Sequence, residues 1–232
     1  MEKQKYTAIV LAAGSGKRMN SQVHKQYLII QDRPVLYYSL KEFQDSAVDE
    51  IVLVVGKGEE EFCRREIVDK YGISKVKAIV EGGKERYHSV FEGLKQTSDA
   101  DYVLIHDGAR PFVNQDIIRR CMLEVPEYQA CVVGMPVKDT IKIADEEGYA
   151  KQTPDRKNVW MIQTPQTFSY ALIYEAYEEM LKTEDTAITD DAMVLERTKG
   201  KKSKLIEGSY RNIKITTPED LLIANVYLQH PE

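Results

Sequence analysis

Four apolar runs set the rhythm of the first half of the chain. Residues 6–13 are almost continuously apolar and run into Gly14-Ser15-Gly16. Residues 50–55 (EIVLVV) are apolar and β-branched, residues 75–80 are a shorter run, and residues 101–106 (DYVLIH) end in Asp107-Gly108. Short runs of this kind, bounded by turn residues, predict buried strands. Between and after them, helical spacing recurs at residues 36–43, 59–71, 87–94 and 116–122. Strands that alternate with helices predict βαβ units, hence an α/β fold with a mostly parallel sheet covered by helices. Ligands of such sheets bind outside the carboxyl ends of the strands. The Gly-rich turn and Asp107 both fall there.

The rhythm breaks over residues 130–165. Residues 130–136 predict another core strand. Residues 140–144 (TIKIA) then alternate polar and apolar, and Glu146-Glu147-Gly148 supplies a turn. One buried face and a turn predict a hairpin that projects from the sheet. Helical patterns resume at residues 171–181 and 190–199, and a strand is expected near residues 212–215. Thr217-Pro218-Glu219-Asp220 opens a last helix, with Thr at the cap, Pro in the first turn and acids at the positive end of the dipole. No repeat or linker interrupts the chain. The expectation is a single domain over residues 1–232, with a β-arm at about residues 137–165.

Composition narrows the classes. With 232 residues, 43% hydrophobic and 30% charged, the chain can bury a full core. A net charge of -5 offers no basic face for nucleic acid, although a local cluster of cations can still hold a triphosphate. The apolar start is too short for a signal peptide or a membrane span, so a cytoplasmic location without membrane partners is expected. Cys63, Cys121 and Cys131 are too few and scattered for a disulfide framework and read as buried, inert thiols.

Four groups of residues carry candidate chemistry. In the first, Ala12, Ala13, Gly14, Ser15 and Gly16 let backbone N–H groups approach a phosphate chain, with Arg18 and Lys25 flanking it. Neither a P-loop nor a full dinucleotide fingerprint is present, so a plain turn with solvated cations remains open. In the second, Gly82, Gly83, Arg86 and Ser89 clamp a base or ribose, or form an ordinary β–α turn. In the third, Asp107 holds Mg²⁺ beside a triphosphate and Arg110 grips a phosphate, or the two close a loop as a salt bridge. In the fourth, Thr140, Arg156, Thr164 and Lys214 make a cationic pocket for a phosphorylated polyol. Asp190-Asp191 reads as a helix start. The four histidines form no ligand set, so no zinc is expected, and Trp160 and the tyrosines read as packing residues.

Taken in order, AAGSGKRM, HKQYL, GGKERYHSV, HDGARPF, PVKDTIK, TPDR, QTPQ, TDDA and NIKITTPEDL resemble the 2-C-methyl-D-erythritol 4-phosphate cytidylyltransferases. The resemblance spans nearly the whole chain. It implies a Rossmann-like nucleotidyltransferase fold, CTP and a polyol phosphate as substrates, Mg²⁺ or another divalent cation, and a homodimer joined by the β-arm. It implies that Arg18 and Lys25 stabilise the transition state and that Gly83, Arg86 and Ser89 hold cytidine. Asp107, Arg110, Thr140, Arg156, Thr164 and Lys214 match positions for metal, phosphates or acceptor, with Arg156 and Lys214 aiming the acceptor phosphate. It further implies that Arg156 and Thr164, on the arm, reach a neighbouring subunit's site. His24 departs from the family, which has Pro before the Lys. The alternatives are a ribitol 5-phosphate cytidylyltransferase, a sugar 1-phosphate nucleotidylyltransferase and a non-catalytic CTP-binding regulator.

Overall fold

Each apolar run of the first half is a strand. In the computed structural model, which describes residues 3–14, 24–183 and 187–230, β1 (Tyr6–Ala12), a small hairpin of β2 (Ile29–Ile30) and β3 (Arg33–Pro34), and β4 (Glu50–Val55) come first. β5 (Val76–Glu81) and β6 (Tyr102–Asp107) follow. β1, β4, β5 and β6 are parallel, and their register pairs Leu11 with Asp107, Ala12 with Val55, and Val55 with Glu81. Their carboxyl ends therefore lie level. The loops after Ala12, Glu81 and Asp107 open on one side of the molecule, where the sequence pattern puts the ligand.

The second half completes a seven-stranded sheet with β7 (Ala130–Pro136), β10 (Trp160–Ser169) and β11 (Lys204–Glu207), in the order β11-β7-β10-β6-β1-β4-β5. β10 runs antiparallel between β6 and β7, and β11 is parallel to β7. The strand expected near residues 212–215 is not one. That segment pairs with no described strand; Ile215 is buried, and its N–H donates to the Ala109 carbonyl at 2.8 Å. Its alternation reflects one buried face against β10 and the loop after β6, and the edge strand nearest in sequence is β11. The arm is also narrower than expected. Residues 160–165 belong to β10, which leaves β8 (Ile143–Ala144) and β9 (Ala150–Gln152) in an exposed hairpin excursion over residues 137–159.

Helices cover both faces. α1 (Val35–Asp45) and α4 (Gln115–Tyr128) pack Leu36, Leu40, Phe43, Ile117 and Cys121 on one face, against Val10, Leu53 and Leu104. α3 (Arg86–Leu94), α5 (Tyr170–Met180) and α6 (Asp191–Lys199) pack Val90, Leu94, Ile173, Tyr177 and Leu195 on the other, against Ile9, Val52 and Ile105. Ile9 and Val10 thus face opposite layers, which is the period of two that makes a doubly covered strand continuously apolar. α2 (Glu60–Cys63) continues as a π-helical stretch at Arg64–Asp69. α7 (Pro218–Gln229) starts as expected: Thr217 caps it in a reciprocal box with Asp220, and Pro218 opens its first turn. The three cysteines are buried free thiols, and burial pushes Cys63 up to about 11 and Cys121 and Cys131 up to about 12. No described helix is long and apolar enough to cross a membrane.

Candidate active site

The loops after β1 and β5 touch. A Cβ on Gly82 would stand 2.5 Å from the Ala13 Cβ and 2.6 Å from the Ser89 Oγ, so only glycine lets the two loops close. Ser89 Oγ accepts from the Gly83 N–H at 3.1 Å and so shapes this loop from the first turns of α3. Ala12, Ala13 and Gly14 sit opposite, at the end of β1. Ser15, Gly16 and Arg18 lie outside the described residues. Lys25 opens a 3₁₀ turn, Lys25–Tyr27, that is pinned on both sides. Gln26 Nε2 donates to the Ala12 carbonyl, and Tyr27 Oη donates to Glu59 Oε2 at 2.7 Å. His24, the departure from the family, lies with Nδ1 2.7 Å from Glu59 Oε1, too poorly aligned for a hydrogen bond.

Asp107 ends β6 and is the electrostatic centre. Its Oδ2 accepts from Lys214 Nζ at 2.7 Å and its Oδ1 from Arg86 Nε at 3.2 Å. Burial alone would raise its pKa; Arg86, Lys214 and Arg110 outweigh burial and hold the carboxyl well below the usual range. The loop beyond is tight. A Cβ on Gly108 would meet Leu36 Cδ1 at 2.7 Å and the Leu11 carbonyl at 3.0 Å, and the Arg110 N–H donates to the Asp107 carbonyl at 2.9 Å. Arg110 Nη1 donates to the Asn212 carbonyl at 2.8 Å, while its Nε is buried without a hydrogen-bond partner. Burial and the neighbouring Arg86 lower the Arg110 pKa, against the pull of Asp107.

Arg86 stands differently from its sequence assignment. Its two Nη groups each donate at 2.8 Å to Asp191, which is fully buried at the start of α6 and also accepts from Tyr177 Oη at 2.6 Å. Arg86 therefore bridges α3, α6 and β6. Asp190 caps α6 by accepting from the Met193 N–H at 2.9 Å, the helix start expected of this pair. Gln166, from β10, accepts from the N–H groups of Asp191 and Ala192 and donates to Asp190.

Thr164 does not reach out from the arm toward a neighbouring subunit, as the resemblance implies; it lies in β10 and is buried against its own chain. Its Oγ1 accepts from the Asp107 N–H at 3.1 Å and lies 3.0 Å from His106 Nδ1. The physical reason is that β10 runs beside β6 in the central sheet. Thr140 and Arg156 do lie on the excursion and are exposed, and Arg156 Nη1 donates to the Lys138 carbonyl at 2.8 Å.

Arg86, Asp107, Arg110, Thr164 and Lys214 therefore line one cavity of ≈ 240 Å³, together with Gln163, Gln166, Thr189 and Asp190. Thr140 and Arg156 are absent from its lining. Larger cavities of ≈ 380 Å³ and ≈ 610 Å³ lie elsewhere, and neither includes Asp107 or Lys214. Sequence reading missed Asp191, Gln166, His106 and Asn212 as members of this wall. All four lie inside the quoted segments, His106 in HDGARPF, Gln166 in QTPQ, Asp191 in TDDA and Asn212 in NIKITTPEDL, but none of these segments shows what its side chain bonds. Chemically, the cavity sets the cations of Arg86, Arg110 and Lys214 around the ionised Asp107, which suits phosphate chemistry without a nucleophilic side chain.

Residues 6–230 match the family model described as 2-C-methyl-D-erythritol 4-phosphate cytidylyltransferase. A protein of that name from Lachnospira eligens is 53% identical over 96% of this chain and 99% of its own. Another from Lachnoclostridium phytofermentans is 50% identical over 97% of each. The crystal structure of 4-diphosphocytidyl-2C-methyl-D-erythritol synthase from Anaerococcus prevotii superposes with a TM-score of 0.86 at 38% identity, covering 98% of this chain and 97% of that one. A cytidylyltransferase structure from Thermus thermophilus gives a TM-score of 0.77 at 29% identity, over 97% and 100% of the two chains.

Proposed function

Because the chain belongs to the 2-C-methyl-D-erythritol 4-phosphate cytidylyltransferase family, we propose that it transfers CMP from CTP to 2-C-methyl-D-erythritol 4-phosphate and releases pyrophosphate, a step of isoprenoid precursor synthesis by the non-mevalonate route. The acceptor's phosphate oxygen attacks the α-phosphorus of CTP, and the bond to the β-phosphate breaks. A phosphate monoester is ionised near neutral pH, so no general base is required. The protein supplies position and charge. Residues 12–16 with Gly82, Gly83 and Ser89 cradle the nucleotide, Arg18 and Lys25 stabilise the α-phosphoryl charge, and Lys214 and Arg110 hold the acceptor phosphate. The observation that carries this reading is the ionised Asp107 at the end of β6, held by Arg86 and Lys214 with Arg110 in the same cavity.

The residues fit a divalent cation of the Mg²⁺ type. Asp107 is ionised and retains lone pairs beyond those used by Arg86 and Lys214. Among the described residues no group of three or more His, Cys, Asp or Glu could hold a metal ion. Phosphate oxygens and water would complete the shell, as Mg²⁺ prefers. When bound, the ion would neutralise the triphosphate and the departing pyrophosphate.

The exposure of the arm supports a homodimer. Its strands are only two and three residues long, Ile143 and Tyr149 are exposed, and an isolated hairpin is marginal in water. A twofold partner would cover it and receive Thr140 and Arg156. The test of the proposed activity is pyrophosphate release from CTP with methylerythritol phosphate, ribitol phosphate and sugar 1-phosphates. Methylerythritol phosphate is expected to be turned over fastest by far. A preference for ribitol phosphate would move the chain to the runner-up activity, and CTP binding without turnover of any acceptor would make it a regulator.

A further inference from the structure

His106 has no place in the mechanism so far. It is fully buried one residue before Asp107, with its ring edge-on to Phe43 of α1 at 5.2 Å. Both ring nitrogens are engaged: Nε2 lies 3.2 Å from the Arg110 carbonyl and Nδ1 lies 3.0 Å from Thr164 Oγ1. The Arg110 carbonyl also accepts from Ser39 Oγ at 3.1 Å. We propose that His106 is a positioning residue for the transfer, whose ring ties β10 to the loop after β6 and thereby sets where Asp107, Arg110 and the Thr164 hydroxyl stand in the cleft.

The hydrogen bonds follow from which atoms can donate. A carbonyl only accepts, so the proton facing Arg110 must be on Nε2. The ring is fully buried and bonds a carbonyl and a hydroxyl rather than a carboxylate, the surroundings of a neutral imidazole. Nδ1 is then bare and must accept, so the Thr164 hydroxyl donates to it. Thr164 Oγ1 in turn accepts the Asp107 N–H at 3.1 Å. The relay therefore runs from the Asp107 N–H through Thr164 to His106 and on to the Arg110 carbonyl. The opposite tautomer would set a bare Nε2 against a carbonyl oxygen inside the protein and leave that nitrogen without a donor.

This changes the role of Thr164. Its single proton is committed to His106, so it has none to give a phosphate oxygen. Its remaining lone pair can only accept, which suits a polyol hydroxyl. The backbones on both sides of the Asp107 carboxylate are fixed by the same relay, and the Lys214 segment hangs on it through the bond from the Ile215 N–H to the Ala109 carbonyl. The inference rests on the proposed CMP transfer for its kinetic consequence, although the relay itself does not.

Two measurements test it. Nitrogen NMR of the histidine-labelled wild-type protein at neutral pH should show the His106 proton on Nε2 and a bare Nδ1; a proton on Nδ1 would overturn the relay. His106→Phe keeps a ring against Phe43 and removes both nitrogens. We expect its kcat to fall ~10²-fold with the KM for CTP within about threefold. On a Thr164→Val background, where the relay is already cut, the same change should cost little more. His106→Gln, which offers both a donor and an acceptor, should recover part of the loss. A folded His106→Phe with unchanged kcat, or losses that multiply on the Thr164→Val background, would overturn the proposal. Should the wild type transfer CMP to no acceptor, the functional reading fails by itself, and the nitrogen spectrum still decides the relay.

Discussion

The wall formed by β6 and β10 and the arm over residues 137–159 both carry residues matched to the family's site, and they hold them in opposite ways. In the wall, Asp107 and Thr164 are 8% and 4% exposed, and each has partners from its own chain. On the arm, Thr140 and Arg156 are exposed, and Arg156 has one bond to a carbonyl of the arm itself. The wall is a pre-set electrostatic site whose geometry and stability are the same property. The arm's residues are separable from the fold, so changing them should alter activity and leave the monomer's stability alone.

The sharpest break of this comparison is Lys214→Ala. It removes one of the cations proposed to hold the acceptor phosphate, and turnover at saturating substrates should drop by roughly 10²–10³. A Lys214→Ala enzyme with near-normal kcat would remove the wall from the chemistry. Arg156→Ala should lower turnover by about 10-fold or more with an unchanged melting temperature, since an exposed side chain with one hydrogen bond contributes little. Refolding Arg156→Ala together with Lys214→Ala extends this. If the arm serves a partner, random pairing gives mixed dimers with one intact site, and roughly a quarter of normal activity returns. If Arg156 serves its own chain, none returns.

A smaller effect should appear as pH dependence of stability. His106 is held at about 4 in the folded chain, below its unfolded value of about 6.5. Above about pH 6.5 both states are neutral there and nothing is lost. As pH falls from about 6.5 to about 4, the unfolded chain takes up a proton that the folded chain refuses, and stability drops by up to ~3 kcal/mol. Asp107, with its pKa held below the usual range, adds a loss only at lower pH. Urea unfolding at pH 7 and pH 5 should show the His106 step in the wild type and lack it in His106→Gln. The smallest expected effect lies outside both regions. Gln129 closes α4 in the left-handed conformation at φ 64°, so Gln129→Gly should stabilise the chain by ~0.5–1 kcal/mol in thermal melts.

The same comparison shows how much could be read from sequence. β1, β4, β5 and β6 are legible because they are covered on both faces and read as continuous apolar runs. β10 is not, because Gln163, Thr164 and Gln166 are buried through hydrogen bonds, and a buried polar strand with a Pro in it has the composition of a loop. β11 (KLIE) is a short edge strand with charged ends and gives too little pattern to count. Among the site residues, Asp107, Arg110 and Lys214 are legible through their motifs. The pairing of Arg86 with Asp191, 105 residues apart, is set by the packing of α3 on α6 and has no local signature. The role of His106 was illegible for a different reason: a lone histidine beside an aspartate does not reveal which atoms its ring faces.

In the proposed reaction the acceptor's phosphate attacks the α-phosphorus of CTP, with the protein supplying only position and charge. Methylerythritol phosphate carrying oxygen-18 in its phosphate, reacted with unlabelled CTP and followed by phosphorus NMR, tests this directly. The expected result is one diphosphate diester per pyrophosphate, with all the label in the diester and none in the pyrophosphate. Label in the pyrophosphate, or pyrophosphate released without the diester, would contradict it.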